Sequence, residues 1–157
     1  MRDSLGNVYA LALVFAFIIV ISGFLAFSVN YNKAFKMKNR IITILEKYNN
    51  NVSSSDAQAE IKKYASEIGY GASQIFTNSC PSAGYTIDGN NTGYCYHVRK
   101  QEVKYTPGKN VNITEYSTSY VDIRTFVSID IPILNHFFPH IKYFHVDGST
   151  KQITTLK

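Results

Sequence analysis

Between Asp3 and Lys33 the chain carries no charged residue, and residues 8–29, VYALALVFAFIIVISGFLAFSV, are strongly apolar. A helix needs roughly 20 apolar residues to cross a hydrocarbon core about 30 Å thick. This stretch meets that requirement with little to spare. It predicts a small domain on a single N-terminal membrane stem. A cleaved secretory signal would look different, because its apolar region is shorter and ends in small residues at the cleavage site. Here Phe24 and Phe27 interrupt the small residues between Ser22 and Ser28, and the one basic residue ahead of the stretch, Arg2, is offset by Asp3. The segment therefore reads as a retained anchor.

The chain has 157 residues, enough beyond the stem for one domain of ordinary size. The expected division is a short tail or leader over 1–7, a span over 8–29, an amphipathic helical extension over 30–50 and an α+β head over 51–157. Tyr and Phe are abundant, Trp is absent, and Asn, Ser and Thr are dense after Asn49. That balance suits an exported β-rich domain better than a cytosolic enzyme. Charge is uneven. Lys33, Lys36, Lys38, Arg40 and Lys47 against Glu46 leave four net positive charges just beyond the span, five minus one. Such a run predicts contact of Lys33, Lys36, Lys38 and Arg40 with anionic lipid headgroups. No nucleic-acid-binding motif follows it, and nucleic acid is not an expected partner.

Two signals conflict over orientation. The positive-inside rule puts the basic run in the cytoplasm. The cysteine pair and the composition of the domain favour the outside, and long domains translocate largely regardless of flanking charge. The preferred reading is a cytoplasmic N-terminus and an extracytoplasmic head.

No Pro occurs before Pro81, and Ala34, Met37, Ile41, Ile44 or Leu45 and Tyr48 continue the apolar pattern at helical spacing. One helix from about Leu5 to about Tyr48 is the simplest reading; two helices with a break near Asn30–Asn32 is the alternative. Asn49, Asn50 and Asn51 should end it. A second helix should begin at Ser55, with Gln58 completing a capping box, and stop at Gly69 or Gly71. From Gly84 the period becomes two. Tyr116 to Ile131 is the clearest strand, with Val121, Ile123, Val127, Ile129 and Ile131 on one face and Tyr120, Asp122, Arg124, Ser128 and Asp130 on the other. Residues 94–105 should pair with it through a turn over 106–110. Residues 141–146 and 152–156 should form a last pair around Asp147-Gly148-Ser149-Thr150. The fold class is α+β, a long helix and a short helix on a small antiparallel sheet.

Cys80 and Cys95 flank a loop rich in Gly, Asn, Ser and Thr. In an external domain a disulfide would staple that loop; two free thiols are the alternative. Two cysteines without a C-x-x-C or a nearby His pair do not make a zinc site. His136 and His140 have ligand spacing, but Pro139 between them opposes a regular helix. Asp122 and Asp130, about 26 Å apart along a strand, cannot act together. With no nucleophile elbow, phosphate loop or dinucleotide fingerprint, no cofactor, metal or small-molecule substrate is expected, and neither is enzymatic activity. A cleft gathering several of His97, His136, His140, Asp122 and Asp130 would reverse that. In the stem, Ala12, Ala16, Gly23 and Ala26, with Ile19 between, form a stripe of small residues of the kind that lets membrane helices approach closely.

Together these features resemble the TadE-like pseudopilins of tight-adherence, type IVc-like pilus systems. The likeness is carried by the start, RDSLGNVYALALVFAF, by the amphipathic continuation of the stem, and by the ending, YVDIRTFVSIDIPILNHFFPHIKYFHVDGSTKQI. It spans both ends and leaves about 49–94 without a match. It implies a structural or accessory pilus subunit whose partners are membrane lipids and other pilin-like subunits or assembly proteins. Leader processing, where it occurs in such proteins, would fall at Gly6. Processed pilins often carry Glu five places after the cleaved Gly, and here that place holds Leu11, which points to an unprocessed, minor or accessory member. The competing reading is a membrane-tethered binding module or adhesin that acts outside any filament.

Overall fold

The computed structural model describes residues 2–71, 80–88, 92–105, 114–128 and 143–156. Helix α1 (Arg2–Lys47) runs for 46 residues without interruption, about 69 Å at 1.5 Å per residue. The alternative break near Asn30–Asn32 does not occur. Neither Gly nor Pro stands there, and an Asn in a helix interior costs only tenths of a kcal/mol. The helix stops at the Asn run, as its sequence predicts. Asn49 and Asn50 take left-handed backbone angles (φ 56° and 58°), and the Asn50 N–H donates to the Leu45 carbonyl at 2.7 Å.

Helix α2 (Ser55–Ile68) begins at Ser55, as expected, but its cap lies one residue before the expected Ser55. Ser54, in extended conformation, is the N-cap, and its Oγ accepts from the Ala57 N–H at 3.4 Å. The Gln58 Nε2 donates to the Val52 carbonyl at 3.0 Å. Of the two candidate glycines, Gly69 ends the helix. Its φ of +63° suits a residue without Cβ, and bonds from Gly69 N to Ser66 O and from Tyr70 N to Ala65 O close the last turn.

A short 3₁₀ turn (Pro81–Ala83) leads into an antiparallel sheet of β1 (Thr86–Ile87), β2 (Tyr94–Tyr105), β3 (Thr114–Ser128), β4 (Tyr143–Ser149) and β5 (Ile153–Leu156). The expected partner strand 94–105 is β2, in continuous register with β3 from Tyr94↔Thr125 to Tyr105↔Thr114. β3 begins two residues before the expected Tyr116, and Ile129, Asp130 and Ile131 lie outside the described residues, as do the turn over 106–110 and His136 and His140. The closing strands differ from expectation. β4 and β5 do not pair with each other; both pair with β3, at Asp122–Ser128 and Tyr116–Ser119. They form one interrupted strand along the edge of β3 opposite β2. Gly148, read from sequence as a turn residue, sits inside β4 opposite Ile123.

The interruption is a bulge. Between Ser119↔Ile153 and Asp122↔Ser149, two residues of β3 face three of the other strand. Thr150 repairs it. Its N–H donates to the Val121 carbonyl and its Oγ1 accepts from the Val121 N–H, both at 2.9 Å.

The helices cover one face of the sheet. Met37, Ile41, Ile44 and Leu45 of α1, Ala57, Ile61 and Ala65 of α2, and Tyr94, Val121 and Ile123 of the strands form the main core. Thr125 lies on this face, where alternation alone demands an apolar residue. Its hydroxyl donates to the Ala34 carbonyl of α1 at 3.1 Å, which satisfies a fully buried polar group. Phe126 points to the opposite face and packs with Cys80, Cys95 and Tyr85.

Candidate functional site

Two surfaces concentrate the features that can act on something outside the chain: the naked stem, and the junction where the head meets it. The stem is one helix long and apolar enough, by length and composition, to cross a membrane, and its most apolar stretch is unburied by the rest of the protein. Phe24 is 70% exposed, whereas Ala34, ten residues on, is completely covered. Ser22, one of the polar side chains of this stretch, donates to the Ile18 carbonyl at 2.8 Å, the bond that satisfies a hydroxyl where water is absent.

Ala12, Ala16 and Ala26 are exposed and Gly23 is half-buried. The helix relates them to the head. Ala12, Ala16, Ile19, Gly23, Phe27, Asn30, Ala34, Met37, Ile41 and Ile44 follow steps of four and three, which is one continuous face of an α-helix. The last four of these are among the residues that α1 buries in the head. The row of small residues therefore continues, turn by turn, the face on which the head is mounted.

The five basic residues of the junction do not share one environment. Lys36 is exposed, and Lys33 is half-buried beside Gly69. Lys38 lays its ammonium over the Phe35 ring at 4.4 Å, with its methylenes against Gly148. Arg40 donates to Glu60 of α2 at 2.9 Å and stands over Tyr64. Lys47 holds the other oxygen of Glu60 at 3.0 Å. That hydrogen bond holds the Glu60 carboxyl below, and the Lys47 ammonium above, its ordinary range. The pairings tie α2 to α1 at the head end of the basic run.

Cys80 and Cys95 form a disulfide on the outer face of the sheet, with Cα atoms 6.3 Å apart. Around it runs a polar ladder. Arg124 makes a bidentate pair with its register partner Asp147, at 2.7 and 2.9 Å, and stacks over Tyr85. Arg99 donates to Asp122 at 2.7 Å, and the Ser149 hydroxyl donates to the other Asp122 oxygen. His97 and Asp122 are register partners, yet His97 Nδ1 donates to the Gly84 carbonyl at 2.7 Å, and both Asp122 oxygens are taken by other groups. Among the described residues no three His, Cys, Asp or Glu side chains gather to hold a metal.

Several structural devices were not singled out in the sequence. Tyr70 OH donates to the Gly93 carbonyl and accepts from the Phe126 N–H, both at 2.9 Å, so a side chain extends the β2–β3 ladder past its last register pair. Burial pushes that phenol up, above the usual tyrosine range. Asp88, nearly fully buried, accepts from the Thr92 N–H and hydroxyl. Asn50 braces the bulge at Thr150. Tyr70 and Asn50 carry no local sequence signal for these roles, because their partners are fixed by the sheet register, whereas Asp88 bonds within its own loop.

No family model matches the chain, and no curated protein and no solved structure matches it.

Proposed function

We propose that the chain is a single-pass, pilin-like structural subunit, held in the cell membrane by residues 8–29 with its head outside the cytoplasm. In this reading it joins a bacterial surface appendage or its assembly machine through the stem. The observation that carries the reading is the continuous row from Ala12 to Ile44. One half is covered by the chain's own head, and the other half presents small residues to neighbours. The Cys80–Cys95 disulfide supports an oxidising compartment for the head.

The test is a photo-crosslinking residue at Leu13 in the intact membrane, read with and without the double substitution Ala16→Leu and Gly23→Leu. The bulkier side chains keep the span apolar but separate the helices, so crosslinks to other stems should vanish while membrane insertion persists. Crosslinks that survive unchanged, or a stem that contacts lipid alone, favour the tethered binding module.

A further inference from the structure

The tip of the head lies level with the apolar span. Phe144, the second residue of β4, sets its ring edge-on against Phe27, with centroids 5.7 Å apart. Phe27 belongs to the apolar stretch that ends at Val29. Further along, Gly148 lies against Lys38 and Ile42. From Phe144 to Gly148 the strand climbs about 13 Å, and from Phe27 to Lys38 the helix climbs about 16 Å. β4 therefore runs nearly alongside α1, and its first residues point toward the membrane end of the molecule.

Apolar surface is left open at that tip. Phe144 is 46% exposed and Tyr143 is 36% exposed. Phe27, Tyr31 and Phe35 climb the helix as a row of ring contacts just beside it, at 6.2 and 6.4 Å. Aromatic rings collect at the level where hydrocarbon gives way to headgroups. Lys33 and Lys36 stand about 9 and 14 Å above Phe27 along the helix, at headgroup level.

We infer that Tyr143 and Phe144 seat the tip of the head in the lipid interface beside the stem, so that the protein meets the bilayer at two places. The inference rests on the reading that residues 8–29 cross a membrane. The depth follows from Phe27: a ring packed against a side chain inside the span is itself at the edge of the hydrocarbon. The occupant that fits is phospholipid, apolar at Phe144 and anionic above it. The other apolar candidate is the chain's own stretch 129–142, whose flanking residues Ser128 and Tyr143 are register partners at this tip.

The chain contains no tryptophan, so a single introduced one reports without background. Full-length protein carrying Phe144→Trp, Tyr143→Trp or Phe24→Trp is placed in phosphatidylcholine–phosphatidylglycerol vesicles with acyl chains brominated near the headgroup or near the methyl end. Phe24→Trp reports the span alone. Both head variants should lose emission on the order of twofold with the shallow bromines and less with the deep ones, as for side chains about 5–10 Å into the headgroup–acyl boundary. Quenching of Phe24→Trp with neither head variant quenched overturns the inference and leaves the span standing. Blue-shifted but unquenched emission from both head variants means that residues 129–142 cover the tip, and also overturns it. An unquenched Phe24→Trp removes the span and the inference together.

Discussion

The Asn50 side chain donates to the carbonyl of Lys151, 101 residues later in the chain, at 3.0 Å. The same Nδ2 donates to the Ser119 carbonyl, also at 3.0 Å. Glu46, one turn earlier on α1, accepts from the Lys151 N–H at 2.9 Å. The end of the long helix thus takes up backbone groups that the bulge at Thr150 frees from the ladder. Replacing Asn50 with Ala would remove the bonds to two carbonyls and put at φ 58° a residue without the short amide that makes Asn tolerant of left-handed angles. We expect a loss of about 2–3 kcal/mol, read as a lower thermal midpoint together with faster amide exchange in β5. An unaltered midpoint would show that water replaces the amide without penalty.

Gly148 lets β4 lie against α1. A Cβ there would meet Lys38 Cδ at 2.8 Å and Ile42 Cδ1 at 3.0 Å. The lysine tail can swing aside, but the isoleucine is held in the helix–sheet contact. Gly148→Ala should cost about 1 kcal/mol and Gly148→Val about 3 kcal/mol. Chemical denaturation of the two variants measures both; equal midpoints would mean that the strand simply shifts away from the helix.

The disulfide closes a 15-residue separation over a polar, glycine-rich loop. Breaking it should cost about 3 kcal/mol, mainly through the freedom returned to the unfolded chain. Paired Cys80→Ser and Cys95→Ser variants, melted beside the reduced parent, test this. Cleavage by a broad-specificity protease should rise within residues 81–94. Freely alkylated thiols in protein taken from the cell surface would count against both the bond and an exterior head.

Stability should fall in alkali. Tyr70 and Tyr94 are held protonated by burial, with folded pKa values raised above the ordinary 10.0. Unfolding lets both ionise, so the folded state binds more protons than the unfolded one above about pH 10. Their contribution is complete below that pH and is lost as the pH rises through the folded values. Ultraviolet titration of the phenolates should show two tyrosines that ionise only as the fold is lost. Tyr70→Phe should flatten the pH dependence while lowering stability at neutral pH, because Gly93 and Phe126 lose their partner.

Much of the architecture is legible locally. The long apolar stretch, the uninterrupted α1 and the limits of β2 follow from charge gaps, helical spacing and strand alternation, each of which is a property of neighbouring residues. The closing strands are not legible in this way. Tyr143–Ser149 and Ile153–Leu156 look like a hairpin around Gly148, but a hairpin and two collinear strands on one partner share the same alternation. Only the β3 register separates them. Thr125 and Phe126 invert the simple pattern for the same reason. The hydroxyl is acceptable inside because the Ala34 carbonyl is within reach, and the ring is acceptable outside because the disulfide packs against it. Phe144 carries no signal at all until its neighbour Phe27, 117 positions earlier in number, is known.

An unbroken α1 has a mechanical consequence. Without a hinge between Arg2 and Lys47, the head has no independent swivel, and twisting the stem about its axis turns the head through the same angle. Head and span behave as one lever. In the proposed assembly, a neighbour that gripped residues 12–26 would set the bearing of the Arg99–Asp122 and Arg124–Asp147 face some tens of ångströms away. An orientation imposed on the stem in that assembly would thereby be reproduced at the far end without any change in the fold of either part.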